Sequence, residues 1–297
     1  MYPRSFHYHR ARSLQEAVTM LGQLGGNAKF LAGGQSLIPL LKLRFANPEH
    51  LVDLNFVPGT SFIKEEAGEL RFGAMTRHAE IEHSALARKI PVLHDCAAGI
   101  ADVQVRNRGT IGGSLAEADP SGDWASALST LDTAVHCLGR SGTRIIQLSD
   151  FIKDAYTTSL AHDELVTEVE VKIPPKGSGG AYIAFKRSAP VYPSASVAVQ
   201  LTVAGDVCRD AAIALGCVGL TPIRATNAET ALRGQILNDK TISAAAEAAR
   251  AAADPQPDMR GSAEYKRQLV VALVKRATQI AARRARGEQV EGAHLYA

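Results

Sequence analysis

The stretch Ala32-Gly33-Gly34-Gln35-Ser36 lies between two segments with regular patterns of apolar residues. Residues 29–32 have the pattern of a short strand, and leucines at helical spacing begin at Leu37. A second strand pattern follows at residues 51–54, so the region is a β-loop-α-β unit with the glycine pair at the strand-to-helix turn. Glycines let the backbone approach a ligand closely, and a helix N-terminus adds partial positive charge. The pattern predicts a turn that holds an anionic group such as a pyrophosphate.

A second glycine pair occurs in Thr110-Ile111-Gly112-Gly113-Ser114. Neither stretch is a G-x-G-x-x-G or a P-loop, which excludes the Rossmann and Walker types of nucleotide site. Either stretch taken alone is more often an ordinary tight turn. Asp119 and Asp123 follow in a polar segment that leads into an apolar helix at residues 125–131, so capping of that helix is an alternative role for Asp123.

The rest of the chain divides at the proline- and glycine-rich residues 174–180, which have the composition of a linker. Before the linker, strand and helix patterns are mixed. After it, residues 181–185, 196–203 and 211–218 have strand patterns, and two alanine-rich helices follow. We expect an α+β fold with one domain at 1–175, divided into subdomains of about 1–57 and 58–175, and a second domain at 181–290.

Composition narrows the possible functions. The net charge is +3 with scattered basic residues, which argues against a nucleic-acid partner. The sequence lacks a signal-peptide pattern and an apolar run of the roughly 20 residues needed to span a bilayer, so we expect a cytoplasmic protein without a transmembrane segment. The four cysteines are far apart and the nine histidines include no H-E-x-x-H motif. We therefore expect no metal site in this chain.

Taken in order, the two glycine motifs resemble the FAD subunit of the xanthine oxidase and carbon monoxide dehydrogenase family of molybdenum hydroxylases. The resemblance rests on residues 32–37, on Asn107-Arg108-Gly109-Thr110-Ile111-Gly112-Gly113-Ser114-Leu115, and on Asp119-Pro120 followed by Asp123. It covers essentially the whole chain. It implies a two-subdomain FAD-binding domain of the PCMH/vanillyl-alcohol-oxidase-like type, followed by a C-terminal domain with a three-stranded antiparallel sheet and helices.

The resemblance also implies a set of FAD contacts. The first glycine motif would wrap the pyrophosphate with backbone amides, Lys186 would reach the flavin from the C-terminal domain, and Tyr192 would lie beside the isoalloxazine or serve only as a loop anchor. Glu117 departs from the family pattern, because a carboxylate near the phosphates would repel them unless it faced solvent. The full set comprises Lys29, Leu31, Ala32, Gly33, Gly34, Gln35, Ser36, Leu37, Ile100, Ala101, Thr110, Gly113, Ser114, Glu117, Ala118, Asp119, Asp123, Leu165, Val166, Lys186 and Tyr192.

By the same resemblance, the chain is an electron-transfer subunit without a general acid or base of its own. It would take electrons from an iron–sulfur small subunit and pass them from FAD to an external acceptor. A molybdopterin-binding large subunit would carry the substrate chemistry, and the complex would be a heterohexamer, a dimer of heterotrimers. Two alternatives remain open at this point: a stand-alone flavin oxidoreductase with the same flavin fold, and a nucleotide-binding module without redox chemistry.

Overall fold

The computed structural model describes residues 2–291. The N-terminal segment, residues 2–57, is a three-stranded parallel sheet with strand order β1-β3-β2. Its first helix begins where the Ser13 hydroxyl accepts the Glu16 amide at 3.1 Å, and it ends at Gly25, whose φ is 74°. Its elements are β1 (His7–Arg10), α1 (Leu14–Leu24), β2 (Ala28–Leu31), α2 (Leu37–Leu43) and β3 (His50–Asp53).

The central segment, residues 58–175, is built on a five-stranded antiparallel sheet with strand order β4-β5-β10-β6-β7. Helices cover one face of this sheet, with Phe72, Trp124 and Val169 buried in the shared core. Its elements are β4 (Ile63–Glu66), β5 (Glu69–Gly73), α3 (His78–His83), α4 (Pro91–Gly99), α5 (Val103–Arg106), α6 (Ile111–Glu117), α7 (Asp123–Leu128), β6 (Thr133–Gly139), β7 (Gly142–Gln147), α8 (Leu148–Phe151), β8 (Ile152–Asp154), β9 (Thr157–Thr158) and β10 (Leu165–Lys172).

The C-terminal segment, residues 176–291, is an antiparallel sheet with order β11-β12-β13-β14, against which long helices pack. The three predicted strands are present, and the fourth is a two-residue addition at the edge. The turn at Gly205-Asp206 joins the second and third strands. The elements are β11 (Ser178–Phe185), β12 (Ala195–Ala204), β13 (Val207–Gly216), β14 (Ile223–Arg224), α9 (Thr226–Leu232), α10 (Asp239–Ala252) and α11 (Ala263–Ala285).

The predicted linker at 174–180 is shorter than expected, because β11 begins at Ser178. Gly179 and Gly180 belong to the strand. A Cβ atom on Gly179 would lie 2.9 Å from the Ala285 Cα and still closer to other backbone atoms of α11. Gly179 therefore serves close packing of helix on sheet, and a Cβ atom on Gly180 would collide with the Gln200 side chain of β12, whereas the sequence pattern assigned both glycines to a linker.

A buried ion pair joins the C-terminal helix to the central segment. Asp95 in α4 meets Arg284 in α11, with the Arg284 Nη1 2.5 Å from the carboxylate Oδ2. The aromatic ring of Tyr182 on β11 also lies in the core of the central segment. Within residues 2–291, no helix combines the length and apolar character that crossing a membrane would require.

Candidate functional site

A cavity of about 590 Å³ lies between the two glycine loops and extends to the loop that joins β11 and β12. This volume is in the range of small-molecule and cofactor sites. Leu165 and Val166, at the start of β10, form part of its floor. Residues from all three segments therefore enclose one space.

Nearly all of the predicted site residues line this cavity, and the structure places two outside the lining. Leu31 ends β2 and pairs with Asp53 in β3. Ala118 is buried after α6 with a φ of 50°, and its carbonyl accepts the Tyr156 amide at 2.8 Å. Both residues are neighbours of lining residues and support the wall from behind.

The two glycine loops pack directly on each other. A Cβ atom on Gly33 would lie 2.7 Å from the Gly109 Cα and would collide with the Arg108 carbonyl. Arg77 fastens the contact: its guanidinium donates to the Arg108 carbonyl and, at 2.5 Å, to the Asn55 side-chain oxygen. Asn55 in turn donates to the Ala32 carbonyl at 2.9 Å. Glycine at position 33 is thus required by the protein's own backbone, independently of any ligand.

The two loops differ in what their amides do. In the second loop the Ile111 amide donates to the Thr76 carbonyl, the Gly112 amide to the Ala74 carbonyl, and the Gly113 amide to the Thr110 hydroxyl at 3.1 Å. In the first loop, the amides of residues 33–36 donate no hydrogen bond to any other residue between 2 and 291. These four residues line the cavity. The first loop therefore offers donors to an anionic ligand, and the second is internally satisfied.

A carboxylate cluster lies at the rim of the cavity. The pKa of Glu117 is raised by burial and by the negative charge of Asp119, with Lys29 opposing. Glu117 is half-buried and lines the cavity, so its carboxylate is not fully turned to solvent. Burial, together with the negatively charged carboxylate of nearby Asp119, raises the pKa of the Tyr156 and Tyr192 phenols. The Tyr192 side chain remains 48% exposed at the rim.

Asp123 does not cap α7 with its side chain. The N-cap of this helix is Gly122, and Asp123 is the first helical residue. Its Oδ1 accepts the Tyr182 hydroxyl at 2.7 Å, a contact between the central and C-terminal segments. Asp123 also borders the cavity, so the contact fixes a buried carboxylate in the wall.

Lys186, at the end of β11, reaches across to the central segment. Its Nζ donates to the Gly99 carbonyl at the end of α4, next to the predicted wall residues Ile100 and Ala101. The side chain is half-buried and lines the cavity. Lys186 is therefore not an ordinary exposed lysine at the end of a strand.

Sequence reasoning missed several lining residues. They include His78, which accepts the Trp124 indole N–H at 3.0 Å, and Glu164, which forms a two-point ion pair with Arg144. Hydrogen bonding by Arg144 holds the pKa of Glu164 below its usual range. His78 and Trp124 are 46 residues apart, so no local pattern announces the pair. The other missed lining residues are mostly apolar or glycine: Leu21, Ala28, Phe30, Leu54, Ala74, Met75, Val105, Gly109, Gly112, Ala116, Gly122, Thr158, Leu160, Ala161, His162, Pro190 and Val191.

One group of potential metal ligands lies outside the cavity, on the five-stranded sheet. The His136 Nε2 is 3.0 Å from the Glu170 carboxylate, and Glu168 is adjacent. The Arg71 guanidinium contacts both carboxylates and lies 3.4 Å from Glu170. The Arg71 guanidinium thus already supplies a positive charge to these carboxylates. The expectation that this chain binds no metal stays a prediction.

Comparison with known proteins gives matches over almost the whole chain. Residues 4–175 match the family described as FAD binding domain in molybdopterin dehydrogenase, and residues 180–281 match the CO dehydrogenase flavoprotein C-terminal domain. The carbon monoxide dehydrogenase medium chain of Afipia carboxidovorans is 40% identical over 96% of this chain and 100% of its own length. Subunit alpha of the 6-hydroxypseudooxynicotine dehydrogenase complex of Paenarthrobacter nicotinovorans is 40% identical over 96% and 97%.

Solved structures agree with these sequence matches. Carbon monoxide dehydrogenase from Hydrogenophaga pseudoflava superimposes with a TM-score of 0.92 at 40% identity, covering 95% of this chain and 98% of the other. Quinoline 2-oxidoreductase from Pseudomonas putida 86 gives 0.91 at 34% identity, over 96% and 99%. The predicted fold class, the FAD cofactor and the role as an oxidoreductase subunit are confirmed at the level of the family. The chain belongs to the FAD-carrying medium subunits of the molybdenum hydroxylase family.

Proposed function

We propose that the cavity of this chain holds one noncovalent FAD whose pyrophosphate lies against the first glycine loop. The observation that carries the proposal is the row of amides at residues 33–36, which line the cavity and have no acceptor among residues 2–291. Backbone amides converging before a helix stabilise a negatively charged group. The second loop, whose amides are internally satisfied, shapes the wall and supplies the Thr110 and Ser114 side chains.

Bound FAD accepts electrons one at a time and releases them in pairs, which suits transfer from an iron–sulfur subunit to an external acceptor. The residues of this chain bind and orient the cofactor. Lys186, held at the Gly99 carbonyl, places a cation beside the apolar wall at Ile100 and favours negative charge on a group there. Tyr192 and Asp119 close the rim. No residue is required to act as a general acid or base.

The named relatives support a division of labour among subunits. By their names, they belong to enzymes acting on carbon monoxide, 6-hydroxypseudooxynicotine and quinoline. These chains share one fold although their enzymes act on very different substrates. We therefore infer that another subunit recognises the substrate. We extend the proposal to an iron–sulfur small subunit and a molybdopterin-binding large subunit, arranged as a dimer of heterotrimers. Domains at 1–175 and 181–290 and a cytoplasmic location are part of the same proposal.

Purification of the native complex tests this function. We expect a yellow protein from which acid precipitation releases FAD in a one-to-one ratio with this chain, together with molybdenum, iron and two further subunits. A yellow chain that purifies alone and oxidises a substrate by itself would favour the stand-alone flavin oxidoreductase. A colourless chain that carries another nucleotide would favour the non-redox binding module.

A further inference from the structure

The ring of His78 forms part of the cavity wall and is held at both ends. His78 is the first residue of α3, and its backbone amide donates to the Gly109 carbonyl at 3.1 Å. The indole N–H of the fully buried Trp124 donates to the His78 Nδ1 at 3.0 Å. The His78 side chain lines the cavity although the residue is only 5% exposed. Its position and orientation are therefore fixed by the protein.

The contact with Trp124 also fixes the tautomer. An indole N–H can only donate, so the Nδ1 of His78 must carry a lone pair and the single proton of the neutral ring lies on Nε2. Burial, with smaller contributions from the positive charges of Arg77 and Arg106, lowers the pKa of His78 to about 3. The ring thus stays neutral at ordinary pH, and its Nε2 is a donor.

This donor has no acceptor within the part of the chain that the structure describes. The Nε2 end lies against Gly109, where a Cβ atom would be 2.6 Å from Nε2 and 2.7 Å from Cδ2. No hydrogen bond joins Nε2 to another of residues 2–291. The Nε2 atom is not among the side-chain atoms that are both fully buried and unpaired, so it retains access to space outside the packed core. His78 and the adjoining Gly109 both line the cavity, so a bound ligand can supply the acceptor that the described residues do not.

We propose that the His78 Nε2–H donates a hydrogen bond to an oxygen or nitrogen acceptor of the bound flavin nucleotide, and that Trp124 is a positioning residue that fixes this tautomer. The inference rests on the proposed function, because it takes FAD as the occupant of the cavity. It adds a side-chain donor on the side of the second glycine loop, where the amides are already used.

The test compares FAD affinity among variants of the full-length chain after removal of its flavin, by the quenching of FAD fluorescence on titration. His78→Phe keeps a flat ring and loses the donor, and we expect about tenfold weaker binding. His78→Gln can accept from Trp124 and still donate, so it should bind within about threefold of the wild type. Trp124→Phe removes the indole N–H that fixes the His78 tautomer, and its FAD affinity should lie between those of His78→Gln and His78→Phe. Thermal unfolding of the flavin-free proteins reports separately on the fold.

The outcomes distinguish this inference from the proposed function. A wild-type chain that does not bind FAD contradicts the proposed function, whereas equal affinity of wild type and His78→Phe contradicts only the role of His78. If His78→Phe does not fold, ¹⁵N NMR of the wild type decides: the Nε2–H resonance of His78 should shift on addition of FAD, and an unchanged resonance overturns the proposal. Titrations with FMN and ADP assign the acceptor to the flavin half or the adenylate half, whichever loses affinity in His78→Phe.

Discussion

Replacing Asp95 by asparagine should destabilise the fold more than any comparable change at the surface. The Asp95 side chain is 1% exposed and that of Arg284 is 8% exposed, and two nitrogens of the guanidinium contact the two carboxylate oxygens at 2.5 and 3.2 Å. The Tyr182 amide also donates to this carboxylate, at 3.3 Å. Removing one charge leaves the Arg284 cation buried without its counterion, which typically costs about 3–5 kcal/mol.

The pH dependence of the effect follows from the same contacts. Burial raises the pKa of Asp95, but the nearby His94 side chain and the hydrogen bonds and charge of Arg284 outweigh burial and hold the pKa below its usual range. A carboxyl with a depressed folded-state pKa stabilises the fold above its unfolded pKa of about 3.9, and the contribution is lost as the pH falls through the folded pKa. The difference between wild type and Asp95→Asn should therefore be full near pH 7 and shrink below about pH 4.

Urea unfolding followed by circular dichroism measures both effects. The matched control is Glu264→Gln, because Glu264 pairs with Arg250 at 2.9 Å on the surface, with side chains 60% and 35% exposed. Exposed pairs contribute roughly 0–1 kcal/mol, so the control should stay near the wild type. If Asp95→Asn lowers the free energy of unfolding by less than about 1 kcal/mol, or if both variants lower it equally, Arg284 is not left as a costly uncompensated charge and the reasoning is refuted.

Three further expectations concern the cavity. In a redox titration, Lys186→Met should lower the flavin midpoint potential by about 30 mV, equivalent to about 1.4 kcal/mol for a two-electron couple. Lys172→Met, at an exposed position, is the control and should leave the midpoint potential unchanged. Glu117→Gln should tighten FAD binding about fivefold at neutral pH, because it removes a screened repulsion of roughly 1 kcal/mol. The FAD affinity of the wild type should fall as the pH rises through the raised pKa of Glu117. A parallel fall in the affinity of the variant would assign the pH dependence to another group. Gly33→Ala should push the two loops apart and lower FAD occupancy. Gly26→Ala is the control, because its added methyl group meets open space and should leave the occupancy unchanged. Equal FAD occupancy of the two variants in purified complexes would show that the loop contact is dispensable.

Much of the local structure was predictable because it depends on neighbouring residues. The start of α1 follows from the Ser13 hydroxyl, which accepts the Glu16 amide, and its end follows from Gly25, whose φ is positive. The turn at Gly205-Asp206 separates two runs of β-branched and apolar residues, and both runs are strands. The first glycine loop lies between a strand and a helix as its pattern indicated. In each case the signal lies within a few residues of the feature.

The rest depends on contacts between distant residues. Nothing near Ser178 shows that Gly179 packs against the backbone of α11, a helix about a hundred residues later in the chain. The pairing of His78 with Trp124 and of Asp123 with Tyr182 is likewise set by the tertiary fold. The local sequence offered capping of α7 as an alternative role for Asp123, but the Asp123 carboxylate instead accepts a hydrogen bond from the distant Tyr182 hydroxyl. Beyond the two glycine motifs, the lining residues that were predicted came through the resemblance to a family, and the other half of the cavity wall was not predicted.

The two glycine motifs have similar sequences and different chemistry, and one position accounts for the difference. Two residues before its glycine pair, the second motif has Thr110, whose hydroxyl caps the Gly113 amide and starts α6 at Ile111. The equivalent position before Gly33 is Leu31, which has no acceptor atom in its side chain. The helix that follows the first loop, α2, therefore begins only at Leu37, after the glycine pair, and the amides of residues 33–36 remain available. A hydroxyl in one loop and an alkyl chain in the other thus decide which loop can bind an anion with its backbone and which one braces it.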